Sequence, residues 1–588
     1  MKKFLKYALI AVVALMIICW VVTWISISTL IHGQETKVYD GSVFVLELDG
    51  TVVERSENDP LASLLGGISD DSEIGLNDVL SSVSKAKEND KIKGMLVEAG
   101  GLRCAPASAE AIRDALLDFK ESGKWLLAYG GTYTQTAYWV ASAADKVALN
   151  PNGNIAWYGL AGQVVYYKGL LDKLGIDVEV FRVGSYKSAV EPFISQTMSE
   201  ANREQIGAYL GSIWSQMAAD VASSRGLSAE RLNGLADRNM DVAPAEESVR
   251  AGLADTLMYK DEMKEWLKRL TGAGDDDPLH TLRLDEMTGV KEDAPKDKSG
   301  NVVAVYYAAG NIDMDGSGPF AEDGICSEKV TADLRALRKD DKVKAVVLRV
   351  NSPGGSSYGS EQIWREVCLM KEKKPVIVSM GDYAASGGYY ISCAADCIVA
   401  EPTTLTGSIG VFGLIPKTGR LQEKLGINVE TVKTHKMSDL GTVTRASTAE
   451  EKALIQGSVD AVYDLFTRRC ADGRGMTQDS IKMIAEGRVW TGSMARDLNL
   501  VDELGGLDKA IDIAARKAGV EEFSIGVYPE EKGFMESLLE NAKDRYIHAE
   551  VKELKEALGE SYGTFRLLHS LQRADRIQAL TPFLVTVK

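Results

Sequence analysis

From Tyr7 to Ile31 the chain carries no charged residue, and Lys2, Lys3 and Lys6 stand before this apolar run. At 1.5 Å per residue such a run reaches about 37 Å, enough to cross a bilayer with some tilt. Trp20, Val21, Val22, Trp24 and Ile25 prolong it where a cleavable signal would end in small residues, so an uncleaved anchor is expected. The lysines place its N-terminus in the cytoplasm and the rest of the chain across the membrane. After residue 40 the apolar positions come in short unbroken runs: Gly41–Asp49, Gly94–Glu98 and Trp125–Tyr129, then Asn301–Tyr307, Ala345–Val350 and Pro375–Met380. Segments of helical period lie between them at Ile74–Lys87, Ala107–Ser122, Ser327–Arg338 and Ser360–Lys373. Unbroken apolar strands alternating with helices predict parallel sheets covered on both faces and joined by right-handed crossovers.

The pattern occurs twice. Asp341-Lys-Val-Lys-Ala-Val-Val-Leu348 repeats Asp90-Lys-Ile-Lys-Gly-Met-Leu-Val97, Ala394-Ala-Asp396 repeats Ala143-Ala-Asp145, and Leu425-Gly-Ile427 repeats Leu174-Gly-Ile176. Each pair is 251 positions apart (341−90, 396−145, 425−174), a gapless duplication across this stretch. The echo continues with Ser224-Arg-Gly-Leu-Ser against Gly473-Arg-Gly-Met-Thr, and Gly252-Leu-Ala-Asp255 against Asn499-Leu-Val-Asp502, so each copy ends in a helical subdomain. The charged, Pro- and Gly-bearing stretch between the copies reads as a linker. The expected organisation is a tip and anchor at 1–37, a first repeat at 38–290, a linker at 291–299, a second repeat at 300–525 and a helical tail at 526–588.

Composition narrows the function. A chain of 588 residues is too long for one core. Its net charge of −17 and lack of a basic run in the soluble part disfavour a nucleic-acid partner. Seven cysteines form no CxxC pair; Cys393 and Cys397, four apart on an expected helix, read as small buried apolar residues. Five histidines include none in a metal-spacing motif or Gly-rich turn, so neither a metal centre nor a Ser-His triad is supported, and no cofactor is called for. His435, whose partner position in the first copy is Gly184, reads as an ordinary polar residue.

The copies differ where chemistry is possible. Ser386 sits in Gly381-Asp-Tyr-Ala-Ala-Ser-Gly-Gly-Tyr-Tyr390, after an apolar strand and before a helix start; the first copy has Gln135 or Thr136 there. A Ser at a helix N-terminus is often only a cap, but there it also gains backbone N–H groups that favour a developing oxyanion. Asn351-Ser-Pro-Gly-Gly-Ser356 ends the preceding strand with a Gly pair able to offer bare N–H groups, a turn the first copy replaces with Gly100-Gly-Leu-Arg-Cys104. Without a usable His, the base would be a Lys whose pKa burial lowers toward neutrality. Lys187 stands alone in Gly184-Ser-Tyr-Lys-Ser-Ala-Val-Glu-Pro-Phe193, and its second-copy position is Ser438. Thr406-Gly-Ser408-Ile-Gly410, against Ile155-Ala-Trp-Tyr-Gly159, can supply a hydroxyl to hold the amine. One copy thus offers a nucleophile and the other a base, as in a single site built from two degenerate halves.

These motifs together resemble the long, duplicated form of the bacterial signal peptide peptidase A family, membrane-anchored serine proteases with a Ser/Lys dyad. The resemblance covers essentially the whole chain. It implies an α/β fold of two tandem Clp-protease/crotonase-like modules with helical subdomains behind one transmembrane helix. It implies Ser386 as nucleophile, Lys187 as general base, Ser408 orienting the Lys, and oxyanion N–H groups from Gly355 and Gly387. It further implies a bowl-shaped homotetramer on the inner membrane, with its catalytic part outside the cytoplasm, cleaving hydrophobic peptides such as released signal peptides. A non-catalytic crotonase-like scaffold or regulator is the rival reading, and retention of Ser386, Lys187 and both Gly turns argues against it. An acyl-CoA-handling crotonase relative is disfavoured by the anchor and by the lack of an evident nucleotide-phosphate site.

Overall fold

The computed structural model describes residues 36–56, 73–274, 276–291, 299–314, 324–530, 577–580 and 585–587. The expected anchor lies outside these residues, among which no helix is long and apolar enough to cross a membrane. The first module contains β1 (Ser42–Val53), α1 (Leu76–Glu88), β2 (Ile92–Arg103), α2 (Pro106–Lys120), β3 (Trp125–Gly130), α3 (Gln135–Ala141), β4 (Lys146–Leu149), β5 (Gly162–Val164), α4 (Lys168–Leu174), β6 (Asp177–Arg182) and the long α5 (Glu200–Arg225). The second contains β7 (Val302–Ala309), α6 (Ser327–Lys339), β8 (Val343–Ser352), β9 (Gly354–Ser356), α7 (Ser357–Lys371), β10 (Val376–Ala385), α8 (Gly387–Ser392), β11 (Cys397–Ala400), β12 (Leu405–Gly407), β13 (Phe412–Lys417), α9 (Gly419–Lys424), α10 (Ala449–Arg474), α11 (Leu507–Ala518) and β14 (Ser524–Tyr528). The C-terminal region adds β15 (Gln578–Leu580) and β16 (Val585–Val587).

Strands β1-β2-β3-β4 lie side by side and parallel, and β7-β8-β10-β11 repeat that order in the second module. The unbroken apolar runs follow from burial on both faces. Phe44, Leu46 and Leu48 of β1 enter one core, while Val43 and Val45 pack on the other side with Met263 and Leu267. In the second module Ala304, Tyr306 and Ala308 face one core, and Val303 and Val305 face α11 through Ala510, Ile511 and Ala514. Helices α5 and α10 are both 26 residues long, capped by the Ser199 and Thr448 side chains and closed by left-handed Gly226 and Gly475. Tyr138 and Tyr389, 251 apart, each donate a 2.9 Å hydrogen bond from the hydroxyl, to the Leu253 and Leu500 carbonyls.

Two expectations need correction. Cys393 and Cys397 do not share a helix: Cys393 closes α8 and Cys397 opens β11, both buried. The C-terminal region is not helical where it is described; Gln578–Leu580 and Val585–Val587 are strands because each finds an open strand edge to pair with. The rest of the expected helical tail, residues 531–576, lies outside the described residues.

The modules interlock rather than meet at the linker. A third sheet runs 325–326, 312–313, β9, β15, β13, β6, so that β6 of the first module closes a sheet of the second. Six residue pairs zip β6 antiparallel to β13, from Phe412↔Arg182 to Lys417↔Asp177. Elsewhere Glu54 of the first module grips Arg349 of the second through two hydrogen bonds of 2.9 and 3.0 Å. Asp382 accepts from Ser108 N and Oγ at 2.8 Å each, and Thr403 Oγ1 donates to Glu110 at 2.6 Å. Burial pushes the Glu110 carboxyl up to about 8.

Candidate active site

Strand β10 ends at Ala385 and α8 begins at Gly387, leaving Ser386 at the corner with φ 56° and ψ −111°. A non-glycine residue there is strained, and neighbouring bonds hold it. Ser386 N donates to Gly407 O at 2.8 Å, and Tyr390 N donates to Ser386 O at 2.8 Å. The Ser386 side chain caps nothing. The ordinary cap reading is therefore excluded: the hydroxyl makes no hydrogen bond to the helix it precedes. Its Oγ can donate to Gly410 O at 3.3 Å.

Lys187 reaches the same point from the first module. It follows β6 by five residues, and the β6–β13 zipper carries it into the second module. Gly184, with φ 102°, passes so close to Glu486 that a Cβ there would lie 2.3 Å from its carbonyl oxygen. Tyr186 N then donates to Glu486 O at 3.0 Å. Gly487 is equally tight, since a Cβ on it would meet Lys187 Cβ at 2.7 Å. The amine ends fully buried, with Nζ donating to Ser386 Oγ at 2.8 Å, Ser408 Oγ at 3.1 Å and Ser408 O at 3.1 Å. No carboxylate joins these contacts, and burial alone holds the Lys187 amine well below the usual lysine range. Ser408, with φ 50°, is held by its own N–H donating to Arg488 O at 2.7 Å.

The position matching Ser386 in the first module is Gln135, not Thr136, since the helix tyrosines fix the offset at 251. Gln135 is buried and shut in: its Oε1 accepts from Tyr158 N and Gly159 N, and its Nε2 donates to Gly159 O. At the second-module position matching Lys187, Ser438 Oγ accepts from His435 N on an exposed loop, and Lys436 pairs with Glu450 at the surface. Neither group lies in the buried pocket.

The Gly pair of β9 flanks the serine. A Cβ on Gly387 would lie 3.1 Å from Gly355 N, and one on Gly354 would lie 2.7 Å from Gly387 N. Gly355, with φ 151°, leaves no room for a side chain, because a Cβ would meet Ile312 O at 2.1 Å. Across this surface runs a peptide, the chain's own β15. It pairs antiparallel with β9 (Gly354↔Leu580, Gly355↔Ala579, Ser356↔Gln578) and with β13 (Phe412↔Gln578). The Ala579 carbonyl oxygen would lie 2.0 Å from a Cβ on Gly354, the same point that is 2.7 Å from Gly387 N. Leu580 packs against Ala189, Val190 and Phe412. The serine, the lysine and the glycine turns stand out in the sequence and lie together here, whereas Gly487 has no motif around it and the three residues of β15 carry no local sign of where they dock.

The description "Peptidase family S49" matches residues 118–274 and again 369–521. The chain belongs to peptidase family S49. "Clp protease" also matches residues 321–402, and both modules have the Clp-protease-like α/β fold. "Protease 4" of Salmonella typhi is 35% identical over 526 residues, 87% of this chain and 84% of that protein. "Serine protease SPPA, chloroplastic" of Arabidopsis thaliana is 34% identical over 488 residues, 82% and 70% of the two chains. "Protease 4" of Haemophilus influenzae is 31% identical over 530 residues, 87% and 86%. This S49 member is a serine peptidase of the signal peptide peptidase type.

Proposed function

We propose that the chain hydrolyses extended hydrophobic peptides through a Ser386/Lys187 dyad. The observation that carries this reading is the 2.8 Å contact between Lys187 Nζ and Ser386 Oγ, fully buried and without an ion pair among the described residues. A neutral amine accepts the serine proton as Oγ attacks the substrate carbonyl carbon. The carbonyl oxygen becomes an oxyanion, for which the N–H groups of Gly355 and Gly387 are the donors. The lysine then gives its proton to the departing amine, leaving an acyl-serine. A water loses its proton to Lys187, attacks the acyl carbon, and releases the new carboxylate as Ser386 recovers its proton. Ser408 holds the amine through both its hydroxyl and its carbonyl.

Substrate form follows from β15. A strand fits between β9 and β13 by main-chain pairing, with an apolar side chain against Ala189, Val190 and Phe412. That favours extended peptides with hydrophobic side chains, such as signal peptides released in the membrane. The apolar run at Tyr7–Ile31 and the preceding lysines support a single-pass inner-membrane anchor with a cytoplasmic N-terminus and an extracytoplasmic catalytic part. We also propose a homo-oligomer, a tetramer by the family resemblance. A fluorophosphonate probe tests the core of the proposal. Labelling of the full chain that is lost in Ser386→Ala supports it, and labelling unchanged in that variant refutes it. A non-catalytic scaffold would take no label at all.

A further inference from the structure

The duplication supplies a template for a contact that one chain cannot complete. Strand β13 has two neighbours, β15 on one edge and β6 on the other. Its counterpart 251 positions earlier is residues 161–166, containing β5, and among the described residues β5 has one neighbour, β16. The missing neighbour is the counterpart of β6, which the same arithmetic places at residues 428–433 (177+251, 182+251). That segment, Asn428-Val-Glu-Thr-Val-Lys433, belongs to no strand and is exposed at every residue, with Val429 50% and Val432 101% accessible. Among the described residues, one chain therefore leaves both an open strand edge and an unpaired strand sequence, and the two match each other.

We infer that residues 428–433 of one chain pair antiparallel with residues 161–166 of a second copy of the same chain. The register of β6 on β13, shifted by 251 on both sides, sets Val429 opposite Val165 and Thr431 opposite Gln163. Val165 is itself 55% exposed, so the pairing covers two valines at once.

Three further features of the internal contact recur with their partners missing. Glu179 of β6 binds Lys417 and Lys452 at 3.3 Å each. Its counterpart Glu430 is exposed and has no ion pair among the described residues. The counterparts of the two lysines are Tyr166 and, by the 249-residue offset of α5 and α10 (449−200), Arg203. Tyr166 keeps its hydroxyl buried beside Asn202, whereas Arg203 is exposed without an ion pair among the described residues. A carboxylate arriving from a second copy pairs with Arg203. Gly175 backs onto the main chain of Arg420 and Leu421, a Cβ there lying 3.0 Å from Leu421 N. Its counterpart Gly426 faces open space, and the counterpart of Leu421 is Leu170, 52% exposed.

The contact joins the second module of one chain to the first module of the next, so it is head-to-tail and propagates until a ring closes. It repeats between chains the step that already joins the modules within a chain. Lys187 and Ser386 meet inside one chain, so the inference stands apart from the chemistry proposed above and gives the expected oligomer a specific seam.

Paired cysteines test it in the full-length, detergent-solubilised chain, with the parent as control for its own seven cysteines. Two single variants, Val429→Cys and Val165→Cys, are mixed and oxidised or treated with a short bismaleimide. Each alone should stay at the parent's level, and the mixture should give covalent dimers and nothing larger. The double variant should give a ladder ending at the size of the closed ring. Thr431→Cys with Gln163→Cys repeats the test two residues along. Absence of crosslinks at both positions overturns the inference, as does crosslinking within either single variant, which would mean a symmetric contact. Glu430→Lys should shift the sedimentation of the solubilised chain toward smaller species while its melting temperature stays within a few degrees of the parent. An unchanged assembly in that variant would assign the contact elsewhere.

Discussion

Gln135 occupies in the first module the place that Ser386 occupies in the second, and each turns its side chain toward the carbonyl of a glycine, Gly159 or Gly410, that is itself 251 positions from its counterpart. The glutamine satisfies that carbonyl at 3.0 Å and closes the pocket with two further hydrogen bonds. The serine leaves the pocket open to Lys187. One pocket has been filled with structure and the other kept for a titratable pair, which is why the chain has a single candidate site despite two modules.

The first prediction concerns that pair. Ser386→Ala and Lys187→Ala should each lower peptide hydrolysis by roughly 10⁴-fold or more, and the double variant should be hardly worse, because the two groups act as a unit. Lys187→Arg should fail equally, since a guanidinium keeps its proton. Lys436→Ala and His435→Ala, on the exposed loop, should retain parent rates. Steady-state kinetics on a chromogenic peptide decide the matter; activity retained in Lys187→Ala but lost in Lys436→Ala would place the base in the second module.

Burial of Lys187 also makes a stability prediction. Its folded pKa lies below its unfolded one, so near neutral pH the unfolded chain binds more of this proton than the folded chain does. The group therefore destabilises the fold below the unfolded value, and the penalty fades as pH rises toward 10.5. Lys187→Met should raise the melting temperature at pH 7, by about 2–4 °C per kcal/mol in a module of this size, and raise it less near pH 10. Hydrolysis by the parent should fall as pH drops through the folded pKa, where the amine takes up its proton. A melting temperature lowered at pH 7 in the Met variant would contradict the burial argument.

Strand β15 lies where a substrate strand is proposed to lie, paired with β9 and β13. Deleting residues 577–588 should lower KM for an added peptide several-fold while leaving kcat near the parent value. A synthetic peptide spanning those residues should then compete with substrate. If the deletion leaves KM unchanged and the peptide does not compete, the peptide groove lies elsewhere.

Much of this was legible in the sequence, for identifiable reasons. The strands of both modules are buried on two faces, so Val43–Leu48 and Val302–Ala308 advertise themselves as apolar runs, and the 251-residue offset exposes Ser386, Lys187 and Ser408 by contrast with Gln135, Ser438 and Trp157. What stayed hidden was non-local. Nothing near Asp177–Arg182 announces that it completes a sheet of the other module, since its partner strand lies more than 200 residues away. Gly487 carries no motif, and its importance arises only where Lys187 passes over it. The three residues of β15 are too few to read as a strand, and only the open edges of β9 and β13 make them one.

Gly487 gives the last prediction, because it separates holding the lysine from being the lysine. It has φ 78°, and a Cβ would sit 2.7 Å from Lys187 Cβ and 2.8 Å from Lys187 N. Gly487→Ala must therefore adopt a strained backbone, at a cost of about 1–2 kcal/mol, and push the main chain of Lys187 away. A displacement near 1 Å at the base should lower kcat by about 10²-fold, with KM little changed, since Gly487 lies under the lysine rather than along the groove. Gly519→Ala is the matched control: it too has positive φ, 67°, but its Cβ would meet nothing within 4 Å among the described residues. It should cost comparable strain and leave kcat alone. Equal losses of kcat in the two variants would trace the effect to backbone strain, and the tight seat proposed for Lys187 would not be what sets the rate.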